Sequence, residues 1–422
     1  MIDPLTHLFN LPREEKYKSL YKRMNAGEQL SLSPIPFDYI DKLKTDTNSV
    51  IITSNPEVVN ECSNVCGGLA IHSKVAIVMN SYNEKIEVLD LNLMSSNPEQ
   101  AIKSLKDQIA KFRKNKTLKI KFIGNLPFLG TEEKLWQKIL MILTEAGFDE
   151  IHLIIPAKGL ISREMKNQSM GNIFPGLKSV HIIRPHHWGD ELNTICAQIE
   201  LIKDYTGNVT VYDDFTKLYS QSQTDFKGNL LFIAPCEQWP DFENVLKSQC
   251  GSDAFYKQSH YGSKINVLRS EAGRMMVDTS VANAIIEFDQ TIKYGPANRI
   301  DKWWIPGQTR LIFKPMTGIY LKEMIITDQP VSRNQTQIIL DSGYDLNNLK
   351  DLFSTSWGAF YIMLTYPSPH KAFGSPNFRL LSAFDLTKKW DESALDQLHG
   401  PTLTKIKNQI LQRYESIYGK RK

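Results

Sequence analysis

Four apolar runs in the middle of the chain constrain its fold most. They are Ile151–Pro156, Val180–Pro185, Val209–Asp214 and Leu230–Pro235, and each precedes a stretch with helical spacing. Short apolar runs alternating with helical patterns predict βα units and a parallel sheet. Two further runs, Leu118–Ile123 and Ile265–Leu268, have the same character. Six strands at this spacing predict an α/β fold with a doubly wound parallel sheet. Such sheets bind ligands outside the carboxyl ends of their strands.

The chain has 422 residues, enough for two or three domains of ordinary size. Residues 1–48 read as a helical segment, with Tyr17, Leu20, Tyr21 and Met24 on one face before the break at Ser33–Pro36. Residues 49–115 read as an α+β part. Val50–Ile52 is a strand, and Asn55-Pro56 opens a helix with Asn55 as its cap. Val75–Met79 and Ile86–Leu91, joined by Ser81–Glu84, read as a hairpin. A helix from Asn97 to about Lys114 follows, with Ile102, Leu105, Ile109 and Phe112 on one face.

Residues 116–295 form the parallel-sheet domain. Its helices run from Thr131 to Leu143, closed by Gly147, over 190–205, closed by Gly207, and over 271–295. Residues 296–422 read as a β-rich domain with a terminal helix over Thr402–Tyr418. Its strand-like runs include Leu311–Phe313, Ile319–Leu321, Ile338–Leu340, Ala359–Leu364 and Phe378–Leu381.

Composition excludes several classes. Hydrophobic residues make up 41% and charged residues 23%, which is globular usage and argues against wholesale disorder. Five cysteines in a chain this long do not make a disulfide framework and fit reduced thiols in a cytoplasm. No run has the roughly 18 apolar residues of a membrane span, and no cleavable signal peptide is seen; a soluble protein is expected. A net charge of +4 is too small to argue for a nucleic-acid or membrane surface, so nucleic acid is not an expected partner. No G-x-G-x-x-G follows a strand, and no P-loop motif occurs.

The densest polar constellation is Arg184-Pro185-His186-His187-Trp188-Gly189-Asp190-Glu191, where a strand gives way to a helix. On a helix starting near Trp188, His187 and Glu191 share a face, as do His186 and Asp190. Imidazole and carboxylate at that spacing suit acid–base work, which makes these four the candidate catalytic residues. Arg184, Asp213, Asp214, Cys236 and Glu237 end neighbouring runs and are candidate substrate-binding residues, with Lys158 at the same edge. Asp213 and Asp214 are also the candidate ligands of a divalent metal ion, the one cofactor suggested. The competing reading is structural. Carboxylates in a first helical turn stabilise the dipole, and Cys236 serves equally as a small buried hydrophobe.

The stretch Ala70–Gly124, read as strand, turn, strand, helix, strand, resembles the core of the chemoreceptor glutamine deamidases and the related necrotizing-factor toxins. The family's catalytic Cys falls on His72 or Ser73 and its His near Asp90, so neither catalytic residue is present. The resemblance therefore implies shared architecture without deamidation.

Two functions follow. One is a transferase or hydrolase acting on a small-molecule or protein substrate at the strand ends. The other is a non-catalytic interaction protein. It would bind a protein partner through its C-terminal domain, where Trp303, Trp304, Trp357 and Trp390 lie.

Overall fold

The computed structural model describes residues 43–70, 73–90, 98–114, 118–125, 135–156, 176–183, 196–213, 217–221, 238–251, 264–268, 283–289, 291–296, 307–314, 318–321, 323–329, 336–365, 378 and 380–418, with isolated positions at 11, 12, 15, 19 and 40. The chain divides into two compact units. One holds 1–160, 164–212 and 218–230; the other holds 161–163, 213–217 and 231–422.

The first unit is built on the largest sheet. Its elements are β1 (Ser49–Thr53), α1 (Pro56–Glu61), β2 (Val65–Ala70), α2 (Ser73–Tyr82), β3 (Glu87–Asp90), α3 (Pro98–Phe112), β4 (Lys119–Asn125), α4 (Leu135–Ala146), β5 (Glu150–Pro156), β6 (Leu177–Ile183), β7 (Cys196–Ile202), β8 (Val209–Asp213) and β9 (Lys217–Gln221). Nine strands lie in the order β3-β2-β1-β4-β5-β7-β6-β8-β9. The pairs β3–β2–β1–β4–β5 and β6–β8 are parallel, and β7 runs antiparallel between β5 and β6. The α/β class with a mostly parallel sheet is as expected, and the strands of 49–115 share that sheet with those that follow.

Its central strands are buried on both faces, as a parallel sheet requires. Ile51, Ile123 and Ile154 pack with Val58 and Val59 of α1 and Val75, Val78 and Met79 of α2. The alternate residues Ile52, Phe122 and Leu153 are equally buried, as are Leu105 of α3 and Leu140 and Leu143 of α4. Phe122 meets Phe148 edge-on at 5.5 Å. Gly147, the expected helix stop, has φ +90° directly after α4, where a side chain would be strained.

Three expectations are corrected. Val75–Met79 is no hairpin strand but part of α2. Val75, Val78 and Met79 stand at i, i+3 and i+4 and are buried, while Ile77 is half exposed, so the helical period was present inside a run that looks uniformly apolar. The stretch 70–124 therefore runs strand, helix, strand, helix, strand. Within 190–205, Cys196–Ile202 is strand β7. Ala197, Ile199 and Leu201 are buried, and Gln198 and Glu200 alternate with them at a strand's period of two. Over 271–295, β11 (Asn283–Asp289) and β12 (Thr291–Pro296) form an antiparallel pair in place of a helix.

The second unit holds a four-stranded sheet, β10 (Ile265–Leu268), β15 (Thr336–Leu340), β13 (Arg310–Phe313) and β14 (Ile325–Thr327), antiparallel at every described pair. The run Ile265–Leu268, expected in the parallel sheet, belongs here. The unit also carries α5 (Trp239–Cys250), α6 (Leu346–Phe353), α7 (Ser356–Thr365), a 3-10 turn (Leu381–Ala383) and α8 (Glu392–Tyr418), which breaks at Gly400-Pro401. It thus joins β-structure to helices. Ala359–Leu364, expected as a strand, lies in α7, where Trp357–Thr365 is buried on every side. A helix buried all round has no polar face and therefore no period to read. Ile319–Leu321 and Leu380–Leu381 are not strands either. Among the described residues, no helix is long and apolar enough to cross a membrane.

The tightest backbone approach in the sheet is at Gly124. A Cβ there would lie 1.9 Å from Ser54 Oγ and 3.0 Å from Ser54 Cβ. Gly124→Ala is expected to lower stability by roughly 1–3 kcal/mol, the usual size of an overpacking penalty. Adding Ser54→Gly should recover most of it; thermal unfolding of the single and double variants checks both.

Candidate functional site

Strand order places the candidate site. Strands β1, β2 and β3 succeed one another in one direction and β4 and β5 in the other, so the order reverses between β1 and β4. A crevice at such a reversal, outside the carboxyl ends, is where open α/β sheets bind ligands. Here the two ends are Thr53-Ser54-Asn55 and Gly124-Asn125.

They are laced together. Thr53 Oγ1 donates to the Ile123 carbonyl at 2.7 Å, and the Ser54 amide donates to the same oxygen at 3.1 Å. The Asn55 amide donates back to Thr53 Oγ1 at 3.0 Å. Asn55 Oδ1 accepts from the Glu57 amide at 2.8 Å, the expected cap of α1, and Pro56 takes the first helical position. Ser54, Asn55 and Glu57 are buried. In dinucleotide folds this first βα turn is glycine-rich, so that backbone amides can meet a pyrophosphate. Here an asparagine side chain occupies one of those amides. At the end of β2, where such folds place a ribose-binding carboxylate, the sequence reads Ala70-Ile71-His72.

Of the residues singled out from sequence, Lys158, Arg184, His186, His187, Asp190, Glu191, Asp214, Cys236 and Glu237 lie outside the described residues. Asp213 ends β8 and is fully buried. Strands β6 and β8 are parallel, with Val180 opposite Val211 and His181 opposite Tyr212. Trp303 and Trp304 are likewise outside the described residues. Trp357 is wholly buried, so this tryptophan serves the core and not a surface.

Two polar clusters escaped the sequence reading. One lies at the opposite, amino edge of the large sheet. Lys121 Nζ sits 2.7 Å from Asp46 and 2.9 Å from Glu150, and Lys119 reaches Glu150 at 2.8 Å. His152 Nε2 is 3.4 Å from Glu150 Oε2. Glu200, opposite His152 on β7, takes the Ser179 hydroxyl at 2.9 Å and Lys178 at 3.1 Å. His152 holds the Glu150 carboxyl far below its ordinary range; burial opposes this, and Lys119 and Lys121 add to it. Burial lowers the Lys121 ammonium, but Asp46 and Glu150 outweigh it, and the net shift is upward. The legible signal was the alternation Glu150-Ile151-His152 at the start of a strand.

The other cluster lies in the second unit. Lys407, 1% exposed, donates to Ser356 Oγ at 2.5 Å and to Glu392 at 2.7 Å, and its ammonium lies 4.6 Å from the centre of the Trp357 ring. Asp396 is 3.6 Å away. Ser356 also donates to Glu392, whose other oxygen accepts the Ser356 amide at 2.7 Å. Through these contacts the lysine ties α7 to both halves of α8. His399 also stacks on Trp357, with ring centres 3.6 Å apart. Its Nδ1–H donates to the Leu395 carbonyl at 2.8 Å, which leaves Nε2 to accept from the Tyr361 hydroxyl at 2.6 Å. Burial lowers the His399 pKa to about 4.

No protein-family model and no curated protein matches the chain. Solved structures do. The type IIG restriction endonuclease BpuSI is 12% identical over 96% of this chain and 68% of its own, at TM-score 0.35. A protein of Listeria monocytogenes, assigned to the class I S-adenosylmethionine-dependent methyltransferases, is 12% identical over 49% of this chain and 74% of its own, at TM-score 0.29. The type IIL restriction-modification enzyme MmeI, in complex with DNA, is 8% identical over 100% of this chain and 80% of its own, at TM-score 0.40. At these scores the likenesses carry no functional argument. One expectation is corrected all the same. Nucleic acid was set aside on charge alone, and among these neighbours one is a restriction endonuclease and another is in complex with DNA. A net charge of +4 describes the whole chain and says nothing of any one face.

His399 makes stability pH-dependent with a definite sign. Its ordinary value is 6.5 and its folded value about 4, so the stabilisation is complete above pH 6.5 and is lost as pH falls towards 4. The full difference is about 3 kcal/mol. Glu150 acts in the same direction at lower pH. His399→Phe should flatten the loss of stability between about pH 6.5 and 4, measured as Tm against pH; an unchanged slope would contradict the assignment.

Proposed function

We propose that this chain is a group transferase of the α/β class, with its site at the carboxyl edge of the large sheet where the order reverses between β1 and β4. The observation that carries this reading is the strand order itself. On this reading Thr53–Asn55 and Gly124-Asn125 form the floor of the site. His187 and Glu191, with His186 and Asp190, act as acid–base residues in the stretch after β6. Nucleic acid stands beside small molecules and proteins as a substrate class.

A second reading has its own support. The Asn55 side chain occupies a helix-opening amide, and Thr53 and Ser54 are tied to β4. A turn satisfied by its own side chains needs no phosphate. This favours a protein that keeps the transferase scaffold and binds a partner without turnover.

S-adenosylmethionine, the cofactor of one structural neighbour, is the first probe. It should raise the Tm of the full chain, and labelled methyl should pass to a nucleic-acid or protein acceptor. His187→Ala should cut transfer by about 100-fold or more and leave cofactor binding intact, as expected for an acid–base residue. No response to S-adenosylmethionine, nucleotides or sugar nucleotides, with capture of DNA, RNA or protein retained, would transfer the assignment to the second reading.

A further inference from the structure

We propose that Glu150, His152 and Glu200 form a binding site for a divalent transition ion of the zinc class, at the amino edge of the large sheet. The three side chains come together through register. Glu150 and His152 are two apart on β5 and so share a face. Glu200 is paired directly with His152 across the antiparallel β5–β7 ladder. One oxygen or nitrogen from each residue falls within 4.8 Å of the other two.

The His152–Glu150 separation is the informative distance. At 3.4 Å it is long for a hydrogen bond between an imidazole and a carboxylate. It equals the edge of a tetrahedron around an ion bonded at about 2.0–2.1 Å, which works out at roughly 3.3–3.4 Å. Imidazole with two carboxylates is a donor set that zinc accepts and that magnesium and calcium, which prefer oxygen throughout, do not. Three protein ligands leave the fourth position for water.

The cations now beside the carboxylates are compatible with exchange. Lys119 and Lys178 have side chains 62% and 43% exposed, and ion pairs at that exposure contribute little. Lys121 is half-buried, but it has Asp46 as a second partner at 2.7 Å and keeps it when an ion takes Glu150. The ion would clamp β5 to β7, which runs antiparallel to both its neighbours. This site is at the opposite edge from the transferase site and does not depend on that reading.

The test is calorimetric titration of the chelator-treated full chain with Zn²⁺, and separately with Mg²⁺. One zinc should bind per chain at this site, and Mg²⁺ should give no comparable heat. His152→Ala and Glu200→Gln should each weaken that binding by about tenfold or more. Glu200 is partly exposed, so its variant decides the matter if His152→Ala does not fold. Co²⁺ should give visible absorption in the wild type and lose it in the variants. No zinc binding, or binding equally strong in both variants, which places the ion on the cysteines or elsewhere, overturns the proposal.

Discussion

The pairing of β1 with β4 is the contact on which the large sheet turns. It joins the half that runs out to β3 with the half that runs out through β5. Five consecutive residues pair, from Ser49 with Lys119 to Thr53 with Ile123. Beyond the last pair, Thr53 and Ser54 both donate to the Ile123 carbonyl, so the ladder ends in a side-chain lock and not in frayed backbone. Gly124 follows because Ser54 takes the space a Cβ would need.

The two edges of the sheet differ in chemistry. At the carboxyl edge the described turn is neutral, and its amides are met by Thr53 and Asn55. At the amino edge acids and bases alternate across adjacent strands, from Asp46 through Lys121 and Glu150 to His152 and Glu200. These side chains are buried or half-buried, and charges at that depth persist only with partners. The second unit solves a similar problem around Lys407, which is held by Glu392 and Asp396 and roofed by Trp357. There the charge holds together a helix that Gly400-Pro401 interrupts.

Legibility varied by element for physical reasons. Strands β1, β4, β5 and β6 show as apolar runs because a strand in the middle of a sheet buries both faces. The cap at Asn55 and the stop at Gly147 were legible because each depends on one residue's own chemistry. Helix α2 was not, since Val75–Met79 is apolar throughout and only burial separates Ile77 from its neighbours. Helix α7 carries no period at all. Strand β7 did alternate, but the βα rhythm around it pointed to a helix. Of the candidate site residues, the sequence marked Asp213 as a strand end, and so it is. The alternation of Glu150 and His152 is local, but Glu200 lies 48 positions beyond His152 and joins them only through strand pairing.

The sequence by itself determined the class: apolar runs of strand length separated by helical spacing, with caps and stops at single residues. These are local properties, fixed by side-chain period and backbone preference. Only the tertiary structure decided the strand order, the antiparallel entry of β7, the removal of Ile265–Leu268 to a second sheet and the meeting of distant charges at the amino edge. Those depend on which buried faces match across the chain, and a match between faces belongs to pairs of segments and to no segment alone.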